Sequence, residues 1–411
     1  MSSITRSQRQ RSCIQASGVQ PDGCRREHLG RVSLRNLALE GNSIMRFSKF
    51  WKYLAVSLLS LSVLPALTLA QHYKQTNLVS DLPGMAPVTD SNLINPWGLS
   101  RSNTSPWWIS DNNSGFSSLY TGAGVSVPIN GTGTVTIPPP KNAPAGTTAT
   151  PTGTVFNGSS DFVLPNGIPA RFIFVTEDGT ISGWNGGQNA VLMVDHSENG
   201  NGAVYKGATT ADIGGKRFLY VTNFRAGRVE VYDTSFNQVH LPPQAFNDEF
   251  VLPGFAPFNV QNIGGTLFVT YAKQDSTKHD DVAGDGLGYV LYFTPSGKLI
   301  GHLEHGPWMN SPWGVVWTPR DFGEYSNSIL VGNFGSGKIA AFNGFTGKFI
   351  AFVKNPVDSD MVIDGLWMIA FGNDATAGPA TALFFTAGIQ GEAHGLFGTI
   401  TPVDGLDGDE E

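Results

Sequence analysis

The sequence predicts an all-β chain folded as a six-bladed β-propeller. Three observations carry that prediction. A thirteen-residue stretch, VTNFRAGRVEVYD at 221–233, recurs as VGNFGSGKIAAFN at 331–343 and more loosely as ISDNNSGFSSLYT at 109–121. A short apolar–apolar–Thr/Ser/Gly strand signature, beginning at Ile109, Val175, Val221, Val269, Val331 and Phe385, occurs six times. The composition, with 50 Gly, 25 Pro and only 14% charged residues among 411, suits many short strands joined by tight turns.

Each thirteen-residue copy reads as a strand, a Gly-bearing turn and a second strand with alternating apolar residues, which is a β-hairpin signal. Repeats of one supersecondary unit bury their apolar faces only against neighbouring units. The six anchors lie 46 to 66 residues apart, close to the roughly 40–50 residues of a four-stranded blade plus loops. Before several anchors comes a second signature: Asn95-Pro96-Trp97-Gly98-Leu99, Ser311-Pro312-Trp313-Gly314-Val315, the looser Ala256-Pro257-Phe258-Asn259-Val260, and Asp364-Gly365-Leu366-Trp367. Proline at the first position fits the start of a strand, where its missing N–H costs least. These stretches are expected to be the innermost strands, with Trp97 and Trp313 packed between blades. The Pro/Thr/Gly-rich stretch 134–158 is expected to be one long extended loop. In blade two the anchor runs straight into a tight turn at Gly179, which leaves its register open by one strand.

The ends of the chain divide differently. Residues 45–70 have a basic start (Arg46, Lys49, Lys52), an apolar centre and a small-residue end at Thr68-Leu69-Ala70, the pattern of a secretory signal peptide. Its apolar centre is shorter than the roughly 18–20 residues of a membrane span. Such a signal belongs at an N-terminus, so Met45 is the expected start and residues 1–44 an upstream extension, disordered or mis-annotated. The propeller then occupies 71–403, and 404–411 is an acidic tail. Both cysteines, Cys13 and Cys24, fall in the extension, so the mature chain has no disulfide, no cysteine-ligated zinc and no cysteine nucleophile. A net charge of −7 without a Lys/Arg cluster after Lys52 argues against nucleic acid. The expectation is a secreted, periplasmic or cell-surface monomer with no membrane span after cleavage. The alternating segment 72–79 has no partner in blade one, and a propeller must close. Its pairing with the last blade removes two exposed edges.

The paired Pro-Trp-Gly strands and the Asn-Phe-x-x-Gly-Arg/Lys hairpins resemble NHL-repeat propellers. Stretches 95–99, 176–185, 272–275 with 279–284, and 395–398 bring the chain closer to an uncharacterised family of exported bacterial six-bladed propellers. That resemblance implies fold and export, and no activity.

Function is expected on one face. Antiparallel order places the turn between the second and third strands at the same end as the entry to the first. Asn223 to Gly227 and Asn333 to Gly337 each span four steps, whereas Tyr271 to Gly288 spans seventeen and Ala387 to Gly395 eight. Loops grown on a rigid scaffold are where function concentrates. The longer one holds Asp275, His279, Asp280, Asp281 and Asp285, an oxygen-rich set suited to Ca²⁺, though also to Asx bonds within a turn or to substrate contact. The shorter one holds Glu392 and His394, a pair fitted to acid–base work or, for His394, to capping a turn. Asp111, Glu177, Asn223 and Asn333 end second strands on that face, and Asn95, Asn310 and Asp364 precede first strands, so together they are placed to ring the channel mouth. Glu177, Glu392 and His394 are the catalytic candidates; Asn95, Asp111, Asn223, Asn310, Asn333 and Asp364 form the candidate ligand face. No Gly-x-Ser-x-Gly elbow, phosphate-binding Gly loop or His-Glu-x-x-His occurs. Two functions fit: a binding module for a small molecule, glycan or protein, and a Ca²⁺-dependent hydrolase of lactonase type, which the comparison with lactonase propellers suggests by fold alone.

Overall fold

The computed structural model describes residues 72–129 and 131–403. The upstream extension, the signal peptide and the acidic tail lie outside the described residues. Six antiparallel sheets follow one another along the chain. Their innermost strands are Pro96–Ser100, Pro151–Phe156, Tyr205–Ile213, Phe255–Ile263, Pro312–Trp317 and Leu366–Phe371. Each of these neighbours the innermost strand of the next blade, and the sixth returns to the first. The chain is a six-bladed β-propeller. Among the described residues there is no α-helix, only two single 3₁₀ turns, and no helix is long and apolar enough to cross a membrane.

The thirteen-residue copies are second and third strands, as their pattern predicts: Trp107–Asp111 with Phe116–Tyr120, Lys216–Asn223 with Arg228–Tyr232, and Ser328–Asn333 with Ile339–Asn343. The six anchors have a physical reason. Thr222 in blade three donates its hydroxyl to the carbonyl of Phe258 in blade four at 2.9 Å, and Thr386 in blade six donates to Trp97 in blade one at 3.0 Å. A buried Thr thus ties a second strand to the next blade. In blade two, Phe172–Thr176 and Thr180–Trp184 are the second and third strands, so the register left open by the sequence is resolved.

Closure is as expected. His72–Ser80 is the fourth strand of blade six, antiparallel to His394–Val403, with Val88–Thr89 added in parallel outside it. The expectation for 134–158 needs correction. Thr134–Thr136 is the outer strand of blade one, and Pro151–Phe156 is the innermost strand of blade two. Pro151-Thr152-Gly153 fills the place of Pro-Trp-Gly, and with Thr standing where Trp stands elsewhere the strand was hidden in a loop-like composition.

Every innermost strand carries a register shift at the same place, after Pro96, Pro151, Tyr205, Pro257, Pro312 and Leu366. A bulge inserts one extra residue and re-aims a side chain. The residues so placed are Trp97, Thr152, Lys206, Phe258, Trp313 and Trp367, all at most 3% exposed. Trp97 in blade one meets Phe258 in blade four, directly opposite in a ring of six, at 6.5 Å between centroids. It also lies 3.6 Å from Trp367 and 5.2 Å from Trp313. These tryptophans therefore plug the axis, a correction to the expectation that they pack between blades. In four of the six blades a glycine follows the bulge residue, at Gly98, Gly153, Gly207 and Gly314, and lets the innermost strands approach closely. A Cβ on Gly314 would sit 2.7 Å from the backbone N of Ile369 in the next blade, so any larger residue would push two innermost strands apart.

Candidate functional site at the axial mouth

The mouth is the end of the axis where first strands begin and second strands end. Lys206, one of the six bulge residues, reaches it from below and is 1% exposed. Its ammonium makes a short ion pair with Glu177 Oε1, lies 3.6 Å from Asp280 Oδ1, and sits 4.7 Å over the Trp97 ring. Glu177 ends the second strand of blade two, and its other oxygen accepts from Asn112 Nδ2 at 2.9 Å. Its side chain is 9% exposed.

The long insertion of blade four folds back as a small hairpin, with Gln274 bridged to Asp281, and Gln274 Nε2 donates to the Phe224 carbonyl at 2.6 Å. The insertion divides its candidates. Asp275 holds the hairpin itself, accepting from the His279 N–H and the Thr277 hydroxyl. Asp285 is exposed. His279 and Asp280 join at 2.8 Å through Nδ1 and Oδ1 and reach the mouth. That bond raises the His279 pKa and lowers that of Asp280. Ligand atoms of Glu177, His279 and Asp280 lie within 4.8 Å of one another. Asp281 is raised by burial, with Ser311 and Lys206 opposing, and its Oδ2 has no hydrogen-bond partner among the described residues.

The short insertion of blade six is no loop but a longer hairpin, paired through Ile389 and His394. Its turn carries Gln390, Gly391 and Glu392 at φ of 57°, 66° and 67°. A non-glycine residue held in the left-handed region costs about 1–3 kcal/mol and persists where surroundings over-determine it. Here Asn95 does so: its Nδ2 donates to Glu392 Oε2 at 2.8 Å, while its Oδ1 accepts from Trp367 Nε1 at 3.0 Å. Asn113 holds the Glu392 carbonyl. Burial pushes the Glu392 carboxyl up, opposed by the Asn95 bond and reinforced by the charge of Glu177.

The Glu392/His394 pair is not formed. His394 turns to Asp81 at 2.7 Å, and Asp81 also accepts from the Gly395 N–H, so His394 serves closure of the ring. The expected ring of Asp, Asn and Glu is largely not formed either. Asn223 binds Glu230 and the Ala226 N–H, Asn333 accepts from the Asn310 N–H, Asn310 from the Gly284 N–H, and Asp364 from the Gln390 N–H. Asp111 is fully buried inside blade one, where burial raises its pKa and the Ser118 N–H holds it. Of that ring Asn95 and Glu177 reach the mouth cluster; Asp111, Asn223 and Asn333 bond within their own hairpins, and Asn310 and Asp364 tie neighbouring loops. The phenylalanines of the repeat are the surprise. Phe224 lies 5.7 Å below the Lys206 ammonium, and Phe334 stacks on Trp367 at 3.8 Å. Lys206 itself was missed, although Lys-Gly at 206–207 stands where Trp-Gly stands in blades one and five, the one charged residue at that register.

No family model matches the chain. An uncharacterised protein of Acanthamoeba polyphaga mimivirus is 27% identical over 338 residues, covering 80% of each chain. A second from the same virus is 36% identical over 205 residues, 48% of this chain and 37% of that one. Among solved structures, a streptogramin B lyase covers 82% of this chain and 99% of its own at 12% identity and TM-score 0.43. The soluble aldose sugar dehydrogenase of Escherichia coli covers 80% and 100% at 11% identity and TM-score 0.47. These relatives are uncharacterised viral proteins; the propeller part of the sequence resemblance stands on the six-sheet ring itself, and a bacterial exported family is not supported.

One consequence of the strained, half-buried Glu392 is testable directly. Its folded pKa lies above the unfolded value of about 4.3, so its contribution to stability is full below that value and lost as pH rises through the raised one. Glu392→Gln keeps an acceptor for Asn95 and removes the charge. The variant is expected to melt higher than wild type at pH 7, with the gain shrinking as pH approaches 4. Equal melting temperatures at both pH values would show that Glu392 carries no such penalty.

Proposed function

We propose that the protein is a binding module that acts outside the cytoplasm and seats a small, positively charged ligand in the axial mouth. The observation that carries this reading is charge imbalance over an aromatic floor. The carboxylates of Glu177 and Asp280 lie against one ammonium, that of Lys206, above Trp97 and Phe224, and Asp281 and Glu392 also feel its charge. Aromatic faces attract cations, and Lys206 already demonstrates the fit by lying over Trp97. Export rests on the signal pattern at 45–70. The test is calorimetric titration with putrescine and with tetramethylammonium, against wild type and Asp281→Asn. Binding weakened about ten-fold in the variant is expected; no heat from either ammonium at about 10 mM would remove the reading.

A metal-dependent hydrolase is the second reading, favoured by the mutual reach of Glu177, His279 and Asp280. One imidazole with two carboxylates suits Mn²⁺ or Zn²⁺ better than Ca²⁺, which takes six to eight oxygens. Any such ion would compete with the Lys206 ammonium for Glu177. An ion bound only by the folded state raises its melting temperature. Melting with chelator, then with millimolar Ca²⁺, Mn²⁺ and Zn²⁺ in turn, decides it: no shift with any of the three removes every metal-based reading, calcium included.

A further inference from the structure

We propose that the opposite end of the axis is a second ligand site, for a neutral polyhydroxylated molecule the size of one or two sugar rings. Beyond their bulges the six innermost strands frame an open cavity of about 510 Å³ to which every blade contributes. That volume falls within the roughly 300–1,000 Å³ of small-molecule sites. The plug of Trp97, Phe258, Trp313 and Trp367 separates it from the charged mouth.

The lining favours a neutral ligand. Arg101 is its only charged residue, and each of its guanidinium nitrogens already donates to a backbone carbonyl. Its Nε and one terminal nitrogen donate to the carbonyls of Phe371 and Gly372, both at 2.7 Å, and it lies over the Trp107 ring. No carboxylate or free ammonium faces an ion there. A purely apolar ligand fits no better, because it would bury polar groups without partners, at about 1–3 kcal/mol each.

What remains is a set of neutral donors and acceptors. Ser100 and Thr154 bring their hydroxyls to 3.2 Å, a pair that shares one hydrogen and leaves a second to donate. Thr209 Oγ1 accepts from the Asn262 N–H at 3.3 Å and keeps its own hydrogen. Gln261 Oε1 accepts from the Val315 N–H at 3.3 Å, and no described residue accepts from its amide nitrogen. At the rim Trp317 is 37% exposed, with Phe345, 86% exposed, edge-on to it at 6.1 Å. Hydroxyl and amide groups beside an open indole match the alternating polar edges and apolar faces of a pyranose. Trp317 belongs to this end of its strand and not to the plug.

The test is a titration of the full chain with maltose, cellobiose, lactose and sucrose, read by tryptophan fluorescence and by saturation-transfer NMR. At least one sugar is expected to bind. Trp317→Ala and Gln261→Leu should each weaken it about ten-fold with the wild-type melting temperature kept, and Glu392→Gln at the mouth should leave it unchanged. Silence from all four sugars at about 50 mM, or wild-type affinity in both cavity variants, overturns the proposal. Because the mouth variant is read separately, this site and the cation reading of the mouth can fail independently.

Discussion

Tyr73→Ala will destabilise the propeller by about 3–5 kcal/mol, the range for deleting a fully buried aromatic ring. The residue is 0% exposed and belongs to the strand that closes the ring. Its role exceeds completing blade six. Its ring stacks on Tyr325 at 5.6 Å and meets Phe322 at 5.0 Å, both from blade five. Its hydroxyl donates to the Phe322 carbonyl at 2.8 Å and accepts from the Tyr325 N–H at 3.2 Å, while its own N–H donates to Lys354. One side chain therefore clasps the N-terminal strand, the last blade and the one before it. Tyr73→Phe separates the two contributions: it keeps the packing and should cost about 1–3 kcal/mol, the penalty for orphaning buried partners. Urea denaturation of the three proteins, with midpoints and slopes compared, measures both. If Tyr73→Ala fell within about 1 kcal/mol of wild type, closure would have to be carried by the backbone ladder to His394–Val403 alone.

Much of this fold can be read from residues whose role is local. A Gly-bearing turn between alternating strands specifies a hairpin wherever it occurs, so the copies at 109–121, 221–233 and 331–343 were legible. So was closure by 72–79, since an unpaired alternating segment and an unpaired last blade need each other. The common face of the two insertions followed from strand direction alone. The aim of side chains at the axis did not. A strand has period two, and one extra residue reverses which side chains face which way, so the bulge after Pro96 or Tyr205 decides whether Trp97 and Lys206 point to the axis. Sequence pattern leaves that bulge unmarked. Asn223 and Asn333 looked like a ring because they repeat, yet they repeat for the sake of their turns. Glu392 is the converse case: its approach to Asn95 depends on three successive left-handed residues, only one of which is glycine.

Lys206→Met tests the centre of the mouth, and it should cost about 3–5 kcal/mol at pH 7. Methionine preserves most of the apolar contact with Trp97, Phe224 and Phe258 while deleting the ammonium. Glu177 is then left as a buried carboxylate with Asn112 its remaining side-chain partner, and breaking a buried pair from one side strands the other charge. Adding Glu177→Gln to Lys206→Met removes the stranded charge and should recover much of the loss, giving a coupling energy for the pair. If the double variant recovered nothing, Lys206 would act by packing alone. The cation-binding reading of the mouth would then lose its internal precedent, because the carboxylates would have shown no demand for a positive charge.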